Sequence, residues 1–302
     1  MLKARENLMQ DEPLAKYTAA RLGGKADWLY IARDSVEELA EVVSEAWAQG
    51  MPVRVLGGGA NVLVSDSGVR GLVVINRVSD IQFGEWYGER TVSAASGTSL
   101  TLFSNKCQAH GLAGMEWAVN VPGTVGGAVV NNAGAHGSDM AEAVREIVVI
   151  EPSGPKLYKR IDMAYDYRFS AFKVREDKRF LVLLATFKLP HDDPKAIRQR
   201  MDAFITYRKN TQPPGASLGS VFKNPPGDYA GRLVEQVGLK GYKLGNAMVS
   251  PKHGNFILSG WDRSLPVCAA DYYHLIQHVQ ATVQAETGVH LELEIELLGE
   301  WP

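Results

Sequence analysis

The residues best suited to chemistry fall into a few groups. Asn120 to Gly137 (NVPGTVGGAVVNNAGAHG) holds five glycines, one proline, three asparagines and no acid. Glycines let a backbone turn tightly and approach a ligand, and free N–H groups around such turns form an anion-binding nest. Small side chains at Ala128, Ala133 and Ala135 leave room for a flat ring. The stretch reads either as a cradle for a planar, phosphate-bearing cofactor or as a glycine-rich bend between strands. Gly57-Gly58-Gly59-Ala60-Asn61 follows an apolar strand pattern and also reads two ways: a diphosphate seat at a strand end, or a plain hairpin turn.

Tyr165 to Lys173 (YDYRFSAFK) places an arginine among aromatics. If extended, Tyr165, Tyr167 and Phe169 share one face and Asp166, Arg168 and Ser170 the other. A guanidinium there suits a planar carboxylate, which it grips with two parallel hydrogen bonds. A surface ion pair is the plainer reading. Ser220, in LGSVFKNP, lacks the hydrolase elbow because Phe222 stands where its second glycine belongs, so an ordinary strand serine is the plainer reading. Glu292, Glu294 and Glu296 alternate with apolar residues. They form a solvated strand face, or one of them faces a cleft, since like charges in a row are mildly unfavourable unless cations lie opposite.

His253, in SPKHGNF, is a loop candidate for ligand contact. His274 and His278 have a two-ligand helical spacing, but no third ligand suggests itself, so no metal is expected. Neither the Gly-Lys-Ser/Thr ending of a P-loop nor a Rossmann glycine pattern occurs. A nucleotide, if bound, sits on another fold.

These groups need elements to hold them. Ser35 to Gln49 reads as a helix capped by Ser35 and closed by Gly50. Ser99 caps a second helix running to about His110. Asp193-Pro194 opens a third, to about Lys209, a fourth over 229–237 is ended by Gly238, and 269–286 forms a long fifth. Strands are expected at 28–32, 53–56, 62–64, 72–75, 91–95, 144–150, 157–161, 180–189, 219–223 and 256–258, with 289–298 half-exposed. Residues 1–22 are polar and read as a surface wrap. Mixed strands and helices without a repeat give an α+β chain.

The 302 residues suffice for about two or three domains. Hydrophobic residues at 45% and charged ones at 22% are ordinary for a globular protein, and a net charge of −2 gives no reason to expect nucleic acid or an anionic membrane. Cys107 and Cys268 are too few for a disulfide framework. No run is apolar enough for a secretory signal or a membrane span, so a cytoplasmic protein is expected.

Taken together, the chain resembles the UDP-N-acetylenolpyruvoylglucosamine reductase family. The motifs are EPLAKYTAARLGGKAD, LGGGANVLVSDSGVRGLVV, VPGTVGGAVVNNAGAHG, YRFSAFK, GSVFKNPPGDYAGRLVEQVGLKG, SPKHGNF and LELEIELLG, in order over nearly the whole chain. The resemblance implies two FAD-binding subdomains of the vanillyl-alcohol-oxidase type, 1–75 and 76–192, and a substrate-binding α+β domain, 193–302. It implies FAD held by Gly57, Gly58, Gly59, Ala60 and Asn61, and by Asn120, Pro122, Gly123, Thr124, Gly126, Gly127, Ala133 and Gly134. It assigns catalysis to Ser220, Arg168 and Glu294, and contact with the nucleotide-sugar substrate to Tyr167, Lys209, Lys223, Asn224 and His253.

The implied reaction is NADPH-dependent reduction of UDP-N-acetylglucosamine enolpyruvate to UDP-N-acetylmuramate for peptidoglycan synthesis, by a monomer. The chain resembles the shorter form of the family, without an extra tyrosine-bearing loop. Thr211 stands where many relatives carry lysine, which leaves Arg208, Lys209 and Lys223 as candidate cations. An FAD-dependent alcohol or sugar oxidase of the same fold is the alternative, and a catalytically idle nucleotide-sugar binder is a second.

Overall fold

The computed structural model describes residue 3, residues 5–86 and residues 89–301. The strands, in chain order, are β1 (Leu8–Pro13), β2 (Lys25–Ala32), β3 (Val53–Leu56), β4 (Val62–Val64), β5 (Val69–Asn76), β6 (Ile81–Trp86), β7 (Glu89–Ala95), β8 (Gly134–Ala135), β9 (Ser138–Asp139), β10 (Val144–Glu151), β11 (Gly154–Lys159), β12 (Leu181–Lys188), β13 (Ala216–Ser220), β14 (Lys243–Leu244), β15 (Ala247–Val249), β16 (Phe256–Ser259) and β17 (Glu296–Leu298). The helices are α1 (Val36–Ala48), α2 (Leu100–Ala109), α3 (Val125–Asn131), α4 (Met140–Ala143), α5 (Pro194–Thr211), α6 (Ala230–Gln236) and α7 (Ala269–Thr287). Among the described residues no helix is long and apolar enough to cross a membrane.

The chain forms two compact units that do not follow it in linear blocks. One holds Leu29–Gly58 and Gly71–Tyr207 together with the described residues up to Met9. The other holds Gln10–Trp28, Gly59–Arg70 and Arg208–Pro302. The backbone passes between them inside the triple glycine, after Gly58.

In the first unit, β11-β10-β12-β7-β6 form an antiparallel sheet. Its buried side chains, Val92, Ile147, Val149, Val182, Ala185 and Phe187, cluster with Phe103 and Cys107 of α2 and Val125 and Val129 of α3. Burial of this kind is worth about 1.5–3 kcal/mol for each large apolar side chain. Ser35 Oγ accepts the Glu38 N–H and Ser99 Oγ the Leu102 N–H, so both caps read from sequence are present. Asp193 likewise accepts the N–H groups of Lys195 and Ala196 at the start of α5.

The glycine run after β3 is not a hairpin turn. β3 pairs in parallel with β5, Val53 beside Leu72. β4 pairs in parallel with β17, Val62 beside Glu296. A backbone that emerges from one ladder and enters another needs the flexibility of consecutive glycines.

In the second unit, β13-β16-β15-β14 form an antiparallel sheet. Leu218, Val221, Phe222, Val249 and Ile257 bury against Leu233 and Val234 of α6 and Tyr272, Leu275, Ile276, Val279 and Val283 of α7. The Asp66 carboxylate accepts the N–H groups of Ala269 and Ala270 and so caps α7 from a distant turn. The opening segment is no surface wrap. Residues 8–13 form β1, and Thr18, Ala20 and Leu22 are buried, the latter two in this unit's core. Among the described residues, the expected strand over 289–298 is paired at β17 and at a single bridge between Leu293 and Phe222.

Candidate active site

The first unit brings its two glycine stretches together. A Cβ on Gly57 would overlap the Thr124 side chain, and one on Gly58 would lie 3.1 Å from Gly123 Cα. Only glycine permits that approach. Among the described residues the N–H groups of Gly58 and Gly123 have no acceptor. Thr124 is buried and precedes α3 in extended conformation, after Pro122 and a Gly123 at φ +129°. Asn120 also has a positive φ, +56°. Gly126 sits against Ser96, whose Cβ an added Cβ would meet at 2.7 Å, and its N–H donates to the Ser96 carbonyl at 2.8 Å. Gly127 faces open space apart from Thr124 Oγ1 at 3.7 Å. Tight backbone, small residues and bare donors suit a phosphate-bearing group.

Arg168 stands at the far end of the same glycine stretch. Its segment is not an extended strand. Asp166 and Phe169 exchange backbone hydrogen bonds of 3.3 and 3.0 Å across a two-residue turn, and Arg168 takes φ +52°. A bulky residue in the left-handed region costs energy and persists only where its surroundings hold it. Arg168 Nη2 donates to Gly134 O at 2.6 Å, and its guanidinium lies 5.3 Å from the centre of the half-exposed Tyr167 ring.

Asn132 organises this corner. It is 1% exposed and ends α3 at φ 43°. Its amide donates to Asp139 Oδ2 at 3.0 Å and to Asp166 O at 2.9 Å, and accepts the Ala141 N–H at 3.0 Å. Ala133, next in the chain, accepts from Met140 N. Sequence reading passed over Asn132; the available signal was an asparagine, tolerant of left-handed geometry, at the end of a short apolar helix.

The second unit carries the rest. Gly59 has φ +58° and no room for a side chain beside Tyr17 O, and its own carbonyl accepts from Ala19 N. Ala60 follows, partly exposed. Asn61 does not point its amide at a free edge. Asn61 Nδ2 donates to Glu294 O at 3.2 Å, and Asn61 O accepts from Glu296 N at 2.9 Å.

Ser220 ends β13 rather than standing inside a strand over 219–223. From Ser217 to Ser220 the chain advances three residues while β16 advances two, Leu258 to Phe256, which is a bulge. Gly219, at φ +75°, sits in it. Beyond Ser220, Val221 O accepts from Glu294 N at 2.9 Å and Lys223 N donates to Glu292 O at 2.9 Å. The segments carrying Ser220 and Glu294 are thus bonded to each other. Among the described residues the Ser220 hydroxyl has no hydrogen-bond partner.

The charged residues divide clearly. Lys223 is paired with Glu292 at 3.1 Å. Lys209 is exposed, and its carbonyl accepts from Lys252 Nζ. Arg208 is partly buried, which holds its guanidinium below the usual range, and among the described residues it has no acceptor. Asn224 Oδ1 accepts from Ala230 N at the start of α6. His253 is half-buried. Its Nδ1 accepts from Asn255 N at 3.2 Å, and its pKa is lowered, chiefly by burial and then by the Lys240 charge.

Other candidates lie elsewhere. His278 stacks on Tyr242 at 4.5 Å, and no cluster of three metal-ligating residues occurs among the described residues. Cys107 is buried in α2 with its thiol pushed up to about 12 by burial.

Comparisons with known proteins identify the family. Residues 29–155 match the family described as an FAD binding domain, and residues 210–298 match that described as the C-terminal domain of UDP-N-acetylenolpyruvoylglucosamine reductase. A reductase of that name from Listeria welshimeri is 38% identical over 96% of this chain and 95% of its own. One from Moorella thermoacetica is 40% identical over 97% and 94%. The crystal structure of the reductase from Thermus caldophilus superposes with a TM-score of 0.78 at 33% identity, covering 98% of this chain and 99% of that one.

Proposed function

We infer the roles of individual residues from one premise: the chain belongs to the UDP-N-acetylenolpyruvoylglucosamine reductase family. It is an FAD-containing oxidoreductase that reduces UDP-N-acetylglucosamine enolpyruvate to UDP-N-acetylmuramate with NADPH as hydride donor, in peptidoglycan precursor synthesis. Its fold is α+β, an FAD-binding part of the vanillyl-alcohol-oxidase type followed by the reductase's own C-terminal domain. The oxidase reading is not favoured.

The cradle fits FAD. Gly57 and Gly58 lie against Thr124 and Gly123 with bare N–H donors, as a diphosphate requires. We assign Gly57 to Asn61, Asn120, Pro122, Gly123, Thr124, Gly126, Gly127, Ala133 and Gly134 to it. Asn61 serves through its backbone, because its side chain is engaged with Glu294 O. Bound there, FAD would supply the hydride for the substrate's methylene carbon and would be reloaded by NADPH.

The protein's own part is to handle the charge and the proton. Negative charge builds on the carbon next to the methylene and spreads into the substrate carboxylate. Arg168 pairs with that carboxylate, and Glu294, as the carboxylic acid, donates it a hydrogen bond. Ser220 gives its proton to the charged carbon, which a weak acid achieves only when held in contact. The pairing of the Ser220 and Glu294 segments through Val221 is the observation that carries this reading. Tyr167, Lys209, Lys223, Asn224 and His253 meet the nucleotide sugar. Arg208 joins them as the cation, since Lys223 is already paired with Glu292 and a partly buried guanidinium without an acceptor among the described residues suits an anion.

Residues 1–75 and 76–192 are read as the FAD-binding portions and 193–302 as the substrate portion. The protein acts as a cytoplasmic monomer with no nucleic-acid or membrane partner. Ser220→Ala tests the chemistry. It should leave NADPH-driven bleaching of the flavin band intact and slow the substrate-driven return on the order of 10²-fold or more. Equal loss of both halves argues against the assigned role.

A further inference from the structure

We propose that Asn255 is the positioning residue that holds the Ser220 hydroxyl in place. The bulge at Gly219 frees Ser220 from strict strand alternation, so something beyond it must fix its direction. The next two residues, Val221 and Phe222, are buried and leave the β13–β16 ladder. Asn255 replaces the missing ladder with three hydrogen bonds. Its carbonyl accepts from Val221 N at 2.9 Å, its Oδ1 accepts from Phe222 N at 2.9 Å, and its Nδ2 donates to Phe222 O at 2.8 Å. Asn255 is 4% exposed, so water does not substitute for its amide. The side chain imitates the N–H and C=O of a neighbouring strand, and no other residue type of that length offers both a donor and an acceptor.

The backbone carbonyl of Asn255 holds the residue next to Ser220, and its side chain holds the one after that. Ser220 is bracketed by a glycine bulge on one side and by this clamp on the other. A proton donor misplaced by about 1 Å loses on the order of 10²-fold in rate. Asn255 therefore serves the protonation step and is dispensable for the step that loads hydride.

The inference rests on the reading of Ser220 as proton donor, and the experiment separates the two. Holoenzyme carrying Asn255→Ala, Ser220→Ala or both is reduced with NADPH without oxygen and then mixed with the enolpyruvyl substrate. Substrate affinity for the oxidised protein is measured by calorimetry. Asn255→Ala should slow the substrate-driven return of the flavin band at least about tenfold. NADPH-driven bleaching and substrate Kd should stay within about threefold. Adding Asn255→Ala to Ser220→Ala should cost less than about threefold more. Equal loss in both halves, a weakened Kd accounting for the loss, or multiplying losses overturns the proposal. A fast Asn255→Ala beside a slow Ser220→Ala overturns only the role of Asn255, whereas a fast Ser220→Ala removes the reading beneath it. Asn255→Asp, which keeps the acceptor for Phe222 N, replaces Asn255→Ala if the latter yields no holoenzyme. Failure of both to fold assigns Asn255 to folding instead.

Discussion

The amide of Glu294 donates to the carbonyl of Val221 at 2.9 Å, and Val221 is the residue after Ser220. The proposed acid and the proposed proton donor, 74 positions apart in sequence (294 − 220), are therefore fixed by adjacent backbones. Leu291 and Ile295 are buried in the core while Glu292 and Glu296 are exposed and Glu294 is partly buried. That pattern singles out Glu294 among three like residues. Asn61 holds the other edge of the same segment.

Gly57→Ala should strip the cofactor. The added methyl overlaps the Thr124 side chain, and Gly57 has no positive φ, so the effect is one of space alone. FAD affinity should fall on the order of 10²-fold, a loss typical of overpacking by one methyl in a rigid contact. Thr124→Ala in the same chain should recover part of it. Fluorescence titration of apoprotein with FAD measures both; no recovery would mean that Gly57 acts otherwise.

Asn132→Ala should cost both stability and turnover. Three hydrogen bonds of a buried amide are lost, among them the one to the turn carrying Arg168. Unfolding free energy should drop by about 2–4 kcal/mol, seen in urea denaturation. Substrate-driven reoxidation should slow more than NADPH-driven reduction, because Arg168 answers to the substrate carboxylate. A variant as stable as the parent would contradict the account of this corner.

His253 predicts a pH dependence of stability. Burial lowers its pKa below the usual 6.5, so as pH falls the unfolded chain takes up the proton first. The contribution is intact above about pH 6.5 and is lost as pH falls through the lower folded value. Protonation also removes the Nδ1 acceptor for Asn255 N. His253→Asn should flatten the fall in Tm below pH 6.5; an unchanged slope would show that this histidine is not buried neutral.

Legibility in the sequence followed the range of the interactions. Ser35, Ser99 and Asp193-Pro194 marked helix starts because a cap acts within three residues. Strands β7, β10 and β12 of the large sheet stood out by apolar runs, whereas β6 was not foreseen and β11 begins three residues before the expected 157. The glycine run after Leu56 left a hairpin open as one of two readings because its flanking strands pair with β5 and β17, and pairing over that distance leaves no local pattern. Tyr165 to Phe169 alternates as a strand does, yet Arg168 sits in a left-handed turn held by Asn132, which alternation does not encode. Asn255 looked like a loop residue; its work is done on Phe222, 33 positions away. The glycine cradle and the order of motifs were legible because each demands specific residue types.

The most direct test of the central claim uses the unaltered protein. Purified holoenzyme is reduced with one equivalent of NADPH without oxygen, and UDP-N-acetylglucosamine enolpyruvate is then added while the flavin absorbance is followed. The oxidised band should return promptly, with UDP-N-acetylmuramate formed in equal amount to the flavin. A band that bleaches but returns only on admitting air would contradict the account and favour an oxidase.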